Sequence, residues 1–118
     1  MEVHFGFENL KVYQKTLVFI DKVYSITNNF PKNEMYSLSS QFRRAANSIA
    51  LNIAEGSGGE NKEFKRFIRI AYKSLRECVV CIQIARMRYY ITDEERLELR
   101  KMLDEISRML SGLNQSLG

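Results

Sequence analysis

The sequence predicts an all-α protein, an antiparallel up-and-down bundle of four helices with no sheet. Apolar residues recur every three or four positions in four successive segments, and no segment has the period of two that is typical of a strand. The 118 residues include one Pro and six Gly, so few positions interrupt regular structure. Helices of similar length with short connections favour antiparallel neighbours. Residues 1–118 are therefore predicted to form one four-helix domain.

The first helix is predicted over residues 7–29, where two apolar stripes run side by side. One stripe contains Leu10, Tyr13, Leu17, Ile20 and Tyr24, and the other contains Val12, Thr16, Phe19, Val23, Ile26 and Phe30. Because one stripe is enough for packing inside a four-helix monomer, we expect the second to form an exposed apolar patch. The residues expected in this patch are Val12, Phe19, Val23 and Ile26. Self-association is the simplest use for it.

The second helix is predicted over residues 33–55, after Pro31, which cannot continue a helical hydrogen-bond ladder. The glycine-rich residues 56–59 end it, and a glycine there is expected to adopt the left-handed conformation of a helix cap. A line of polar residues follows the helix: Gln41, Ser48, Asn52 and Glu55. Because a carboxylate near a helix C-terminus is unfavourably placed against the macrodipole, Glu55 is expected to pair with a basic residue of the third helix.

The third helix is predicted over residues 61–89 and the fourth over residues 92–116. The fourth begins with a capping box, in which the Thr92 side chain accepts from the Glu95 amide and the Glu95 carboxylate accepts from the Thr92 amide. Its apolar residues form an almost unbroken seam: Leu99, Leu103, Ile106, Leu110, Leu113 and Leu117. Such a seam is typical of a helix that packs against neighbouring helices.

The excess positive charge of the chain is concentrated in the third helix. Residues 62–88 contain eight basic and two acidic side chains, a net charge of +6, whereas the whole chain carries +4. Five of the eight are Arg, whose planar guanidinium suits phosphate. Side chains at spacings of four and three lie on one face of a helix. We call this row the basic stripe: Lys62, Arg66, Arg69, Lys73 and Arg76.

The basic stripe predicts a polyanionic partner, RNA or DNA. Lys65 is expected to contribute a further phosphate contact, together with Arg43 and Arg44 from the second helix. Tyr72 is the one aromatic residue that interleaves with the stripe. The pattern therefore favours salt-dependent contacts to the nucleic-acid backbone over base stacking or the reading of base sequence.

Three other interpretations of the basic stripe remain open. It is a solvated helix face, or it docks an acidic protein partner and the chain is a protein-binding scaffold. Alternatively, an oligomer buries it against acidic residues of a neighbouring fourth helix, namely Glu94, Glu95 and Glu98. Free RNA or DNA should bind directly if the partner is a nucleic acid and should fail to bind if the partner is a protein.

The sequence contains no set of residues that predicts catalysis, a metal site or a cofactor. Cys78 and Cys81 lie in the middle of a helix, whereas a redox pair is activated at a helix N-terminus. A zinc site would need further ligands, and His4 is the one other candidate. We therefore expect two buried structural thiols, no metal, no cofactor and no enzymatic activity.

The beginning of the chain lacks the pattern of a signal peptide, and no apolar run approaches the ~18 residues that cross a bilayer. We expect a cytoplasmic protein with reduced cysteines and no membrane partner.

Several segments resemble the bacterial four-helix-bundle family of 23S rRNA intervening-sequence proteins. They are FENLKVYQ at residues 7–14, QFRRAANSI at 41–49, NIAEG at 52–56, EFKRFIRIA at 63–71 and SLRE at 74–77. The resemblance runs in register from about residue 5 to residue 115. One departure is Lys73, where the family more often has Gly before the Ser, and which makes the surface bulkier and more basic.

This resemblance implies a bundle that assembles into a ring-like homopentamer. It also implies kinship with the accessory proteins of diversity-generating retroelements, which bind nucleic acid and a reverse transcriptase. The name of the family refers to where its genes lie, and no enzymatic function comes with it.

Overall fold

The computed structural model describes residues 1–118 and consists of four α-helices with no strand. The helices are α1 (Lys11–Thr27), α2 (Leu38–Ser57), α3 (Asn61–Met87) and α4 (Asp93–Ser116). Each packs against its neighbours in sequence, α4 also packs against α1, and the backbones of the diagonal pairs lie further apart. Ion pairs from Lys15 to Glu105 and from Lys22 to Glu98 show that α1 and α4 run in opposite directions. The prediction of an antiparallel up-and-down four-helix bundle without a sheet is confirmed.

Two helices begin later than predicted because acidic side chains stabilise short 3₁₀ turns before them. Before α1, the turn Gly6–Asn9 is held by Glu8, whose carboxylate accepts from the Phe5 amide at 2.8 Å. Before α2, the turn Lys32–Glu34 is held by Glu34, whose carboxylate accepts from the Tyr90 hydroxyl at 2.7 Å. The two helices therefore begin four and five residues after the approximate starts predicted near residues 7 and 33.

The core is a single cluster of 24 buried residues contributed by all four helices and by the segments that join them. Its largest fully buried side chains include Phe19, Phe42, Ile68, Leu99 and Leu103. The α4 seam is confirmed from Leu99 to Leu110. No helix combines the length and apolar character needed to cross a membrane.

The two apolar stripes of α1 occupy the opposite environments from those predicted. The stripe expected at the surface is buried: Val12, Phe19, Val23 and Ile26 all belong to the core. In the other stripe, Leu17 and Tyr24 are exposed and the remaining residues are half-buried. An apolar side of α1 is therefore exposed, but it is the side of Leu17. Periodicity identifies two stripes and cannot tell which one faces the other helices.

The glycines after α2 act through close packing rather than through a left-handed cap. Gly58 has a φ of −79°, so the expected left-handed conformation is wrong. Gly56 lies within α2, where a Cβ would be 2.6 Å from the Phe67 Cβ and 2.9 Å from the Phe64 Cδ1. The absence of a side chain at Gly56 therefore lets α2 approach the two aromatic residues of α3.

Candidate nucleic-acid interface

The basic stripe lies on the outer face of α3, opposite the core face. All five of its side chains are exposed, whereas Phe64, Ile68 and Leu75 point into the bundle. From Lys62 to Arg76 the stripe is about 21 Å long at a rise of 1.5 Å per residue. It begins in the first turn of α3, where the helix dipole is also positive. Side-chain charge and backbone dipole therefore reinforce each other at this end.

One residue of the stripe is already paired with an acid. Arg66 donates to the Glu63 carboxylate at 2.8 Å, and its guanidinium lies 4.5 Å from the centre of the Phe67 ring. The hydrogen bond from Arg66 lowers the pKa of Glu63, so this carboxylate is ionised at neutral pH. The other four residues of the stripe, Lys62, Arg69, Lys73 and Arg76, form no salt bridge within the chain.

The three further residues predicted to contact phosphate occupy different surroundings. Lys65 is half-buried, and its ammonium donates to the backbone carbonyl of Gly118. Arg43 lies on the α1 side of α2, where it donates to the Thr27 hydroxyl at 2.8 Å and stacks on Tyr24. Arg44 is exposed and lines a groove with Ser74 and Glu77 of α3. The structure thus places Arg44 against α3 but not among the residues of the basic stripe, and it leaves Arg43 on another side of the bundle.

Arg44 lines a polar groove between α2 and α3, beside the basic stripe. The polar side chains of this groove are Gln41, Arg44, Asn47, Ser48, Ser74 and Glu77. Glu77 also lines an adjoining depression with Lys73 and Arg76, so groove and stripe are continuous. The polar line predicted from the sequence contributes Gln41 and Ser48 to the α2 wall, but its other two residues lie outside the groove, and the pairing with α3 was not predicted. Residues 23 or more positions apart form the two walls, and no local pattern relates them.

Glu55, at the end of the polar line, does not have the basic partner predicted for it. Its side chain is exposed and forms no salt bridge within the chain. The nearest acid–base pair at the start of α3 is instead local, between Glu63 and Arg66. A water-exposed carboxylate needs no partner, and the expectation that Glu55 pairs with α3 is wrong.

The outer face of α3 changes from basic to apolar beyond Arg76. Val80, Ile84 and Met87 continue the same face and are 57%, 38% and 64% exposed. We call these three residues the apolar end of the stripe. The apolar end was not predicted from the sequence, because the stripe was defined by its charged residues at 62–76. The spacing of four and three residues nevertheless continues beyond Arg76.

Acidic residues of α4 do not neutralise the stripe within the chain. Glu98 pairs with Lys22 at 3.4 Å. Glu95 accepts from the Thr92 amide at 2.8 Å, which confirms the predicted capping box. Glu94 is exposed and has no salt bridge. Two of the three acids considered as partners of a neighbouring stripe are therefore engaged inside their own chain.

Cys78 and Cys81 are free and buried, as predicted. Burial raises the pKa of Cys81 to about 11 and raises that of Cys78 further. Tyr72, the aromatic residue predicted to interleave with the stripe, donates its hydroxyl to the Ser107 carbonyl at 3.0 Å and is half-buried. No group of three or more His, Cys, Asp or Glu side chains could hold a metal ion.

Comparison with known proteins identifies the family of this chain. Residues 8–112 match the family described as 23S rRNA-intervening sequence protein. The chain is also similar to a crystal structure of a protein of unknown function from the S23 ribosomal protein family of Bacteroides thetaiotaomicron. That likeness has a TM-score of 0.79 at 24% identity, covers 87% of this chain and 97% of the other, and shows the fold. No curated protein matches. Since the match spans nearly all of the bundle, this chain belongs to the family of 23S rRNA intervening sequence proteins.

Proposed function

We propose that this protein is a non-catalytic nucleic-acid-binding protein whose basic stripe contacts the phosphates of RNA or DNA. One observation carries the proposal: four exposed basic side chains on a single helix face have no acidic partner in the chain. Counterions that gather at such a row would be released when phosphates replace them, which favours binding at low salt. The free, buried cysteines fit a protein that works in the reducing cytoplasm.

We further propose that the protein works as a ring-like homo-oligomer, with five subunits as the resemblance implies. Exposed apolar side chains on α1, including Leu17 and Val18, give the bundle a surface that a second copy could cover. Repetition of the basic stripe around a ring would multiply its field and its affinity for a long polyanion.

The test is a binding titration between low and moderate salt with labelled RNA and DNA duplexes of mixed sequence. The variant Arg69→Gln, Lys73→Gln, Arg76→Gln removes three unpaired cations and leaves Arg66 with Glu63. Each lost phosphate contact should reduce the slope of log K against log salt by about 0.9. The triple variant should therefore bind more weakly and show a slope smaller by about 2.7.

A matched control removes the same charge from another face. Arg100, Lys101 and Arg108 are exposed on α4, and their simultaneous change to Gln alters the net charge equally. The control should retain most of the affinity of the wild type, since its cations belong to α4 and not to the stripe on α3. Equal losses in both variants would show a non-specific charge effect, and no binding by the wild type at low salt would end the nucleic-acid proposal.

The apolar end favours a second candidate function, a scaffold whose basic face docks an acidic protein partner. Val80, Ile84 and Met87 are of no use to phosphates but would pack against apolar residues of a protein. In this case Val80→Ser with Met87→Ser should abolish capture of the protein partner, and free RNA or DNA should bind neither the wild type nor the variant. Direct binding of RNA or DNA by the wild type, with partner capture intact in the variant, would contradict the scaffold.

A further inference from the structure

Two residues that line the polar groove between α2 and α3, Ser48 and Ser74, are hydrogen-bonded to each other. Ser74 is 5% exposed, and its hydroxyl donates to the Ser48 hydroxyl at 2.7 Å. The Asn52 amide donates to the carbonyl and to the hydroxyl of Ser48, at 2.8 Å and 2.9 Å. Because the Ser48 and Ser74 hydroxyls are bonded to each other, they link the α2 and α3 walls of the groove. The side chains that are free to contact a ligand lie at the rim.

The rim of the groove has the opposite character. The side chains of Gln41, Arg44 and Glu77 form no hydrogen bond or salt bridge within the chain, although all three line one groove. An amide, a guanidinium and a carboxylate thus converge there, Glu77 from α3 and the other two from α2. Leu51 adds an exposed apolar side chain at the same rim, against which a flat ring could pack.

The carboxylate decides what kind of group fits between these walls. Glu77 lies beside Lys73 and Arg76, at the border between groove and basic stripe. A phosphate would be repelled by Glu77, so phosphates are favoured on the stripe and disfavoured in the groove. A carboxylate accepts hydrogen bonds from N–H groups, which nucleobases carry on their edges.

Guanine offers both of the hydrogen-bonding patterns that the rim requires. Its O6 and N7 form a pair of acceptors that an Arg fork can contact bidentately. Its N1–H and amino group form an adjacent pair of donors that match the two oxygens of a carboxylate. In duplex nucleic acid those donors are engaged with cytosine, so only an unpaired guanine can present them to Glu77.

We propose that the polar groove binds an unpaired guanine, held between Arg44 and Glu77, in a strand whose phosphates lie on the basic stripe. The inference rests on the proposed nucleic-acid function and names the ligand of its groove. The protein would then recognise single strands that contain guanine, whereas the basic stripe on α3 by itself predicts contacts to phosphate only.

The test uses fluorescence anisotropy with labelled RNA strands of about 12 nucleotides. One strand consists of adenine with spaced guanines, and the other has inosine, which lacks the amino group, at each guanine. The wild type should bind the guanine strand about tenfold more tightly. In Glu77→Gln this preference should disappear through loss of affinity for the guanine strand.

The direction in which Glu77→Gln changes the binding affinity distinguishes guanine recognition in the groove from attraction of phosphates by charge alone. Removing a negative charge beside the stripe would strengthen binding of every strand if phosphate contacts were all that mattered. Tighter binding of both strands by the variant would therefore overturn the guanine site and leave the proposed function intact. No binding of either strand by the wild type at low salt would overturn the guanine site, and the duplex titration would then decide the proposed function separately.

A second variant tests the other wall and keeps the charge constant. Arg44→Lys preserves the cation but removes the bidentate fork. The wild type should lose affinity about fivefold when 7-deazaguanine, which lacks the N7 acceptor, replaces guanine, and Arg44→Lys should not distinguish the two bases. An equal response of wild type and variant to 7-deazaguanine would exclude Arg44 from the site and contradict the inference.

Discussion

Two helical glycines illustrate how strongly the role of a residue depends on its surroundings. Gly56 faces Phe64 and Phe67 across the α2–α3 contact, whereas a Cβ at Gly112 in α4 would meet nothing within 4 Å. The same substitution should therefore have opposite effects at the two positions.

Gly56→Ala is expected to lower the free energy of unfolding by about 1–3 kcal/mol, because the added methyl group must displace aromatic side chains. Gly112→Ala should raise it by about 0.5–1 kcal/mol, since Gly loses more backbone entropy in a helix than Ala does. Urea denaturation followed by far-ultraviolet circular dichroism measures both. A stabilising Gly56→Ala would show that α2 and α3 are not in close contact there.

The two cysteines provide a chemical probe of core integrity. Because the pKa of Cys81 is about 11 and that of Cys78 is raised further, neither thiol ionises at pH 8. Reaction with a thiol reagent should be about a hundredfold slower in the native protein than in guanidinium, where both thiols react. Fast modification of the native protein would contradict their burial.

Burial of these thiols also predicts how stability responds to alkali. Each folded-state pKa lies above the ordinary value of 9.0, so the neutral thiols favour the folded state fully below pH 9. The contribution of Cys81 should be lost as the pH rises from 9 through 11, and that of Cys78 should decline over the same range and beyond it. Replacement of both cysteines by Ala should flatten that part of the stability profile, and an unchanged profile would assign the alkaline loss to other groups.

At the scale of the element, the end of α3 is held in a conformation that suits glycine, yet the residue there is Tyr89. Its φ is 61°, the Tyr90 amide donates to the Ala85 carbonyl at 2.9 Å, and the Tyr89 amide donates to the Arg86 carbonyl at 3.0 Å. This pair of bonds is a Schellman motif. The exposed Tyr89 ring lies 5.5 Å from the Arg86 guanidinium and is otherwise little engaged.

Tyr89→Gly is expected to raise the free energy of unfolding by about 1 kcal/mol, because Gly adopts the left-handed conformation without steric cost. Tyr89→Ala is the matched control, since it removes the same ring but retains the Cβ. Thermal denaturation of the three proteins should place the Gly variant highest. If both variants are equally destabilised, the aromatic ring matters more than the backbone strain.

At the scale of the whole molecule, the charged and apolar surfaces lie on different helices. The basic stripe and its apolar end cover the outer face of α3, while Leu17 and Val18 are exposed on α1. A bundle that measures 43 × 33 × 21 Å can therefore use α1 for contacts between subunits and α3 for a polyanion. Assembly through α1 would leave the stripes available to one long ligand.

A ring of five chains of 13.8 kDa predicts a mass of about 69 kDa by light scattering coupled to size-exclusion chromatography. Leu17→Glu with Val18→Glu should shift the mass toward that of one chain, because two buried charges oppose assembly. The same charges on the apolar end, at Val80 and Met87, should leave the mass unchanged. A wild-type mass of 13.8 kDa at every concentration would contradict the oligomer.

Features that depend on neighbouring residues could be predicted from the sequence. The number and order of the helices follow from apolar periodicity, from Pro31 and from the Thr92 capping box, which act over a few positions. The basic stripe needs only that residues 62–76 be helical, because helix geometry then places the five side chains on one face. Helix starts were less predictable, because the 3₁₀ turns at Glu8 and Glu34 depend on individual side-chain hydrogen bonds.

By itself, then, the sequence determined the fold class, the burial of the two thiols and the row of cations on α3. Only the tertiary structure decided that the Phe19 stripe of α1 faces the core, that Gly56 fits against Phe67, and that Arg44 and Glu77 share one groove. These outcomes depend on which surfaces of distant segments pack together. The residue pattern of one helix does not specify which surface of another helix packs against it. The α2–α3 groove therefore could not be predicted from either helix alone.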